Sequence, residues 1–255
     1  MDKIPLFTSY ALLGNKNHWI ACMFLYLTVV EIKRRSDPRR SGTLLFELIV
    51  LTVMGFGGGI INPVLLGQVP FPMGSDVVIP CIVLAYFFVR LLGSDLMQMP
   101  GIYHLRHIAF ELVRSKLIHG WCIKSAQIIP STYFHQFPVF GVLTAGAIGG
   151  CGGLFLINGG LSPIKNAMPW SVESALAASA LHFVFANSLV SLPPVVSATL
   201  LSSEDVSTAA HFVIVVFLVL TRLVPITQKI LPWRILSIFS TATTMSTIKK
   251  KSKDE

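Results

Sequence analysis

The chain has 255 residues, of which 53% are hydrophobic and 13% charged, and its formal net charge at pH 7 is +8. A soluble domain carries about 25% charged residues, so this composition excludes an ordinary soluble domain and indicates an integral membrane protein. A transmembrane helix needs about 20 mostly apolar residues, and the length therefore allows about seven spans joined by short loops.

The apolar runs predict seven transmembrane helices between a short leader and a basic tail. The leader covers 1–17, the helical domain 18–223 and the tail 224–255. In chain order, the predicted spans are 18–30, 43–66, 77–97, 102–127, 138–157, 172–192 and 208–223. The fold class is therefore all-α.

Lys and Arg are distributed unevenly between the predicted loops. They occur after spans one and five and throughout the tail, whereas the loops after spans two, four and six contain none. Basic loops remain in the cytosol. We therefore expect a non-cytosolic N-terminus and a cytosolic C-terminus, which requires an odd number of spans.

Two glycine-rich runs lie inside predicted spans two and five. The first contains Gly57, Gly58 and Gly59, and the second contains Gly152 and Gly153. A glycine inside a helix costs about 1 kcal/mol relative to alanine, so these runs predict breaks in both helices. Single runs of small residues usually serve close helix packing, but the repetition favours a pathway, with backbone carbonyls presented to an ion.

The predicted spans form two similar halves. Spans one to three make one repeat over 18–98, spans four to six make a second over 102–192, and span seven at 208–223 is left over. Because each repeat has three spans, the two halves have opposite orientations in the membrane. Inverted repeats with broken helices near the midplane are typical of pathways for ions or small solutes.

Span four is unusually polar. Glu111 and Arg114 are spaced to pair on one face of its helix, about halfway along the span, where charge is expensive. We interpret them as a pore lining or a site for an anionic lipid head group, and a buried ion pair is the structural alternative. Arg106 and Lys124 lie near the ends, where they are expected to reach the interface.

The sequence contains no pattern typical of an enzyme. No catalytic triad order, paired catalytic carboxylates or zinc-protease motif is present, and the glycine runs do not follow a strand as a nucleotide fingerprint requires. The cysteines form no ligand spacing, so neither a metal nor a cofactor is expected. Beside a membrane, the basic tail is expected to face anionic lipid and not nucleic acid.

With these motifs in place, the sequence resembles the trimeric intracellular cation channel family over about 19–222. The residues that carry the resemblance are Ser-Asp-Pro-Arg-Arg at 36–40, Phe-Gly-Gly-Gly at 56–59, Gly-Ser-Asp-Leu at 93–96, Glu-Leu-Val-Arg at 111–114 and the glycine run at 149–153. The resemblance implies a homotrimer with one pore per subunit. It also implies passage of K⁺ as counter-ion flux across the endoplasmic or sarcoplasmic reticulum membrane.

The resemblance further implies a bound phosphoinositide and assigns residues to it. Gly57, Gly58, Arg114 and Lys116 are the expected lipid contacts, while the five glycines with Arg114 and Glu111 are expected to form the pore and its gate. Family members look like Lys-Glu-x-x-Arg in helix four and Lys-Gly-x-Gly in helix five. Here Phe110 and Gly149 replace those two lysines, which bears directly on gating.

Two further expectations concern transport and location. The alternative to a channel is a secondary transporter of a small solute, because inverted repeats also suit alternating access.

The chain ends with Lys251 and Lys253 close to its C-terminus, which resembles a dilysine retrieval signal read from the cytosol. We therefore expect the endoplasmic reticulum membrane, with the N-terminus lumenal.

Overall fold

The structure is a computed structural model that describes residues 16–96, 99–129, 138–160, 169–190 and 203–223. Most of the predicted leader, the whole predicted tail and the segments 97–98, 130–137, 161–168 and 191–202 lie outside the described residues. Within the described ranges the chain is all-helical. Its helices are α1 (Lys16–Arg35), α2 (Leu44–Phe56), α3 (Gly58–Leu65), α4 (Val78–Leu96), α5 (Pro100–Ile128), α6 (Val139–Ile157), α7 (Trp170–Val190) and α8 (Ser203–Leu223).

The helices occupy the positions of the seven predicted spans, with α2 and α3 together filling span two. The main difference is at the first span, which was expected to end near residue 30 but continues as helix to Arg35. The last turn stays helical because Glu31 pairs with Arg34 there. A short 3₁₀ turn at Pro38–Arg40 follows, started by the Asp37 side chain.

The glycine run in span two produces the predicted break. The axes of α2 and α3 differ by 71°, with Gly57 at the junction. Asn62 in α3 is buried, and its Nδ2 donates to the Ala145 carbonyl of α6 at 2.7 Å. The bend therefore directs α3 against the second half of the chain.

The predicted break in span five is wrong. Val139–Ile157 is one continuous helix that contains the whole second glycine run. The helix propensity cost of each glycine is about 1 kcal/mol, and tertiary packing on several sides of α6 overrides it. The carbonyls of α6 thus remain in a helix and are not released by a break.

By length and composition, α6 is long and apolar enough to cross a membrane, with a mean hydropathy of 1.8, and the bent pair α2–α3 qualifies if it is one span. Among the described residues, Val78–Gly93 and Ser207–Leu223 are shorter apolar helices. Gly93 has φ of 74°, which interrupts α4 near its end.

The buried apolar residues form two clusters. The first joins α1, α2 and α4 through residues such as Leu27, Leu51 and Ile82, and it also includes Val113 of α5. The second joins α5, α6, α7 and α8 through residues such as Ile118 and Ala175. The contacts of α1 with α5, and of α2 and α3 with α6, connect the two clusters.

Candidate functional site

The two glycine runs meet at the centre of the molecule, and their backbones are in direct contact. A Cβ atom on Gly58 would lie 2.7 Å from the Cα of Gly149, and one on Gly152 would lie 2.9 Å from the carbonyl carbon of Gly57. A Cβ on Gly153 would lie 2.8 Å from the Val53 carbonyl oxygen. These positions accept no side chain without backbone movement, so α6 crosses the α2–α3 junction at the closest approach that two helices can reach.

We call this contact the glycine crossing and define it by Gly57, Gly58, Gly149, Gly152 and Gly153. Gly59 lies outside it. A Cβ on Gly59 would instead meet the Cβ of Phe71 at 3.0 Å, and the Gly59 carbonyl accepts a hydrogen bond from the Phe71 backbone amide at 2.8 Å. Four of the five predicted glycines therefore come together at the crossing.

A cavity of about 150 Å³ lies beside the glycine crossing, and we call it the inner cavity. Gly55 and Gly58 line one side of it, and the α6 glycine run lines another. Its charged lining residues are all cations from three different elements, namely Lys33, Arg40 and Arg114. This set of side chains suits an anionic group.

Arg114 is held on all sides by acceptors. Its Nη1 donates to Glu111 at 3.1 Å, its Nε to the Gly150 carbonyl at 2.8 Å and its Nη2 to Ser174 Oγ at 2.7 Å, and it also donates to the Ser171 carbonyl. Arg114 and Glu111 are both buried. The structure thus contains the buried Glu111–Arg114 ion pair, and Arg114 also lines the inner cavity, while its role in a pore or a lipid site stays a prediction.

Lys33 places a positive charge beside Phe110. Its ammonium lies 4.5 Å from the centre of the Phe110 ring, and Phe110 also stacks on Tyr26 with ring centres 5.0 Å apart. Both Lys33 and Phe110 line the inner cavity. Lys33 of α1 thus places a cation beside Phe110, held there by a cation–π contact.

Other sequence-predicted residues lie elsewhere. Lys116 is not among the lining residues of the inner cavity, and its ammonium lies 4.1 Å from the Trp19 ring centre. Lys124 is exposed near Trp121, as predicted. The expectation that Arg106 reaches the interface is wrong: it is buried, and its Nε has no hydrogen-bond partner among the described residues.

Sequence reasoning missed a second buried charge network, formed by α1, α2 and α4. Glu47 accepts from Arg90 and from the Tyr86 hydroxyl, both at 2.6 Å, and lies 3.2 Å from Arg34. Arg34 also makes a two-point contact with Glu31 at 2.7 and 2.8 Å. The Glu-x-x-Arg spacing at 31–34, which is the same as at 111–114, was the available signal.

In the described ranges, no group of three or more His, Cys, Asp or Glu side chains is arranged to hold a metal ion. The four cysteines are free thiols within these ranges. The site therefore offers cations, backbone contacts and a partly open cavity, and these suit binding of small charged groups.

No protein-family model matches the sequence, and no curated protein matches it. Solved structures do match. A trimeric intracellular cation channel from C. elegans with bound Ca²⁺ superposes with a TM-score of 0.58 at 19% identity, over 86% of this chain and 95% of that one. This chain has the fold of the trimeric intracellular cation channels. The same kind of channel from C. elegans in the absence of Ca²⁺ gives a TM-score of 0.55 at 15% identity, over 80% of this chain and 89% of that one.

The trimeric intracellular cation channel fold confirms the resemblance read from the sequence and the multi-helix architecture expected of a membrane protein. The match covers four-fifths or more of this chain in each comparison. At this level of identity the match establishes the fold.

Proposed function

We propose that this protein is an intracellular cation channel that works as a homotrimer, with one pore in each subunit. The fold match supports this function, because the compared structures are trimeric cation channels. We also propose that the seven helical segments cross the membrane as two inverted three-helix repeats plus α8, with the N-terminus lumenal and the C-terminus cytosolic.

The glycine crossing is the observation that carries the proposal. In a membrane, irregular backbone is tolerated only where it is buried in protein or lines a water-filled cavity. The junction of α2 and α3 meets both conditions, because it packs on α6 and because Gly55 and Gly58 line the inner cavity. A pathway between the two repeats would therefore pass the α2–α3 junction, with Glu111 and Arg114 next to it.

The positive charge of the inner cavity determines which ions can occupy it. A cation entering a space lined by Lys33, Arg40 and Arg114 is repelled unless an anion occupies part of it. We therefore propose that a phosphoinositide head group lies against these side chains and the glycine crossing, and that K⁺ passes beside the phosphate groups. Lys33 lines the same cavity as Arg40 and Arg114, so all three cations are proposed contacts for the phosphate. Arg40 and Arg114 also pair with carboxylates, Asp37 at 3.0 Å and Glu111 at 3.1 Å.

Single-channel recording on the purified protein in a planar bilayer tests the proposed activity. A channel gives discrete openings whose current is proportional to voltage. A secondary transporter, the alternative class, gives saturable solute counterflow without openings. If only saturable solute counterflow is observed, the protein is a secondary transporter and not a channel.

We further propose that the channel resides in the endoplasmic or sarcoplasmic reticulum membrane, where its current would balance the charge moved by other transport. The support is the fold match to intracellular channels. Fluorescence microscopy of the tagged protein tests this location. Overlap with a reticulum marker is the expected result, and labelling at the cell surface would contradict it.

A further inference from the structure

A second cavity lies next to the inner cavity, and the two share a wall. The second, which we call the outer cavity, has a volume of about 600 Å³ and is lined by residues from α2, the 3₁₀ turn and the end of α6. Arg40, Ile157 and Asn158 line both cavities. These three residues therefore form the barrier between the two spaces.

The barrier contains one polar contact between the two halves of the chain. Arg40 Nη2 donates to Asn158 Oδ1 at 3.3 Å, which is longer than the 2.7–2.9 Å typical of strong charge-assisted bonds. The Asn158 amide is oriented by its own Nδ2, which donates to the Leu154 carbonyl at 2.8 Å. A long hydrogen bond to a side chain that is 21% exposed can break and re-form easily.

The backbone of Arg40, in contrast, is firmly held. Arg34 Nη1 donates to the Arg40 carbonyl at 2.6 Å, and Arg34 is itself fixed by Glu31 and Glu47 in the buried network. Arg34 is only 1% exposed. The network thus fixes the backbone of Arg40, and Asp37 holds the Nε of its guanidinium at 3.0 Å. The Nη2 contact with Asn158 is longer, and it is the contact that reaches the second half of the chain.

We propose that Arg40 and Asn158 form a gate between the outer and inner cavities, and that the buried Arg34–Glu47 pair positions Arg40 for this role. Rotation of the Arg40 side chain away from Asn158 would join the two cavities without moving a helix. As a gate on ion flow the proposal rests on the proposed channel function, whereas as a barrier between two cavities it rests on the geometry alone.

The chain offers an internal reporter of the barrier, because Cys151 lines the inner cavity while Cys22, Cys81 and Cys122 do not. The experiment measures the rate at which a small anionic methanethiosulfonate reagent modifies each cysteine of the full-length protein, read by mass spectrometry. Asn158→Ala and Arg40→Gln remove the contact, and Asn158→Asp turns it into an ion pair. The cysteines outside the inner cavity control for general loosening of the fold.

We expect Asn158→Ala and Arg40→Gln to raise the Cys151 rate about tenfold, the size of change that loss of one hydrogen bond allows. Asn158→Asp should lower that rate, and this effect should vanish when Arg40→Gln is also present. A purely structural role would move both Asn158 variants in the same direction. Equal Cys151 rates in all variants, or equal directions for Ala and Asp, would overturn the gate.

Single-channel currents of the same proteins then separate this inference from the proposed function. We expect the open probability to be highest in Asn158→Ala, intermediate in the unmodified chain and lowest in Asn158→Asp. If the Cys151 rates follow this order but no variant conducts, the gate between the cavities stands and the channel function fails. If all variants conduct alike and their Cys151 rates are equal, the channel stands and the gate is wrong.

Discussion

Gly58 lies against Gly149 so closely that a Cβ on Gly58 would be 2.7 Å from the Gly149 Cα. The Gly149 Cα belongs to the backbone, so it cannot rotate away as a flexible side chain could. The two halves of the chain are therefore joined by a backbone contact, and the geometry of this contact sets the shape of the adjacent inner cavity.

The first prediction concerns this contact. Gly58→Ala should lower the free energy of unfolding by about 1–3 kcal/mol, the usual cost of overpacking, and should reduce ion flux by displacing α6. Gly120→Ala is the matched control, because nothing lies within 4 Å of a Cβ at Gly120 in α5. Gly120→Ala should stabilise the protein by about 0.4–1 kcal/mol. Equal stability of the two variants in denaturation would contradict the close packing described here.

The second prediction concerns the Glu111–Arg114 pair. Arg114→Ala leaves Glu111 buried without its cation, so we expect a loss of about 3–5 kcal/mol in the free energy of unfolding. The double change with Glu111→Ala should recover part of that loss, and a double-mutant cycle measures the recovery. Additive losses would show that the pair is not coupled. Arg114→Lys should restore little, because a single ammonium cannot reach four acceptors as the guanidinium does.

The third prediction concerns the network that sequence reasoning missed. Glu47→Ala should lower the free energy of unfolding by about 3–5 kcal/mol, because Arg34 stays buried and loses a partner. Asp76→Ala is the control, since Asp76 is an exposed carboxylate whose loss should change stability by less than about 0.5 kcal/mol. Thermal or denaturant unfolding in one detergent compares the two variants. If Glu47→Ala and Asp76→Ala both change the free energy of unfolding only slightly, the network does not stabilise the fold.

The fourth prediction separates two candidate lysines for the lipid. Lys33→Gln should weaken binding of a soluble phosphoinositide head group by about tenfold, the loss of roughly one charge-assisted hydrogen bond. Lys116→Gln should leave the affinity within about twofold, because Lys116 lies on Trp19 and not in the inner cavity. Calorimetric titration of both variants measures the affinities. A larger loss of affinity for Lys116→Gln would support Lys116 as the lipid contact, as predicted from the sequence. It would contradict the proposal that Lys33 contacts the lipid.

The positions of the helices could be predicted from the sequence because apolar runs of membrane length are a local signal. The break at Gly57 was predicted for the same reason. The continuity of α6 could not be predicted, because Gly149, Gly152 and Gly153 have low helix propensity and only contacts from distant parts of the chain hold them helical. At this glycine run, low helix propensity opposes a helix and tertiary packing favours one. The packing is the stronger effect, so the segment is helical.

The residues of the site were only partly predictable. Glu111 and Arg114 are neighbours on one helix, so their spacing reveals the pair. Glu47 and Arg90 are 43 positions apart, and no local pattern connects them. The placement of Lys33 on Phe110 likewise depends on how α1 packs against α5, so this cation beside Phe110 is visible only in three dimensions.

We propose that the protein conducts cations although its inner cavity is lined by Lys33, Arg40 and Arg114. The most direct test is the reversal potential of single-channel current in a bilayer that separates high from low KCl. We expect a reversal potential close to the K⁺ equilibrium value, because phosphate groups in the cavity would neutralise the cations and admit K⁺. A reversal potential close to the Cl⁻ equilibrium value would show that the basic residues themselves select the ion, and it would contradict cation conduction.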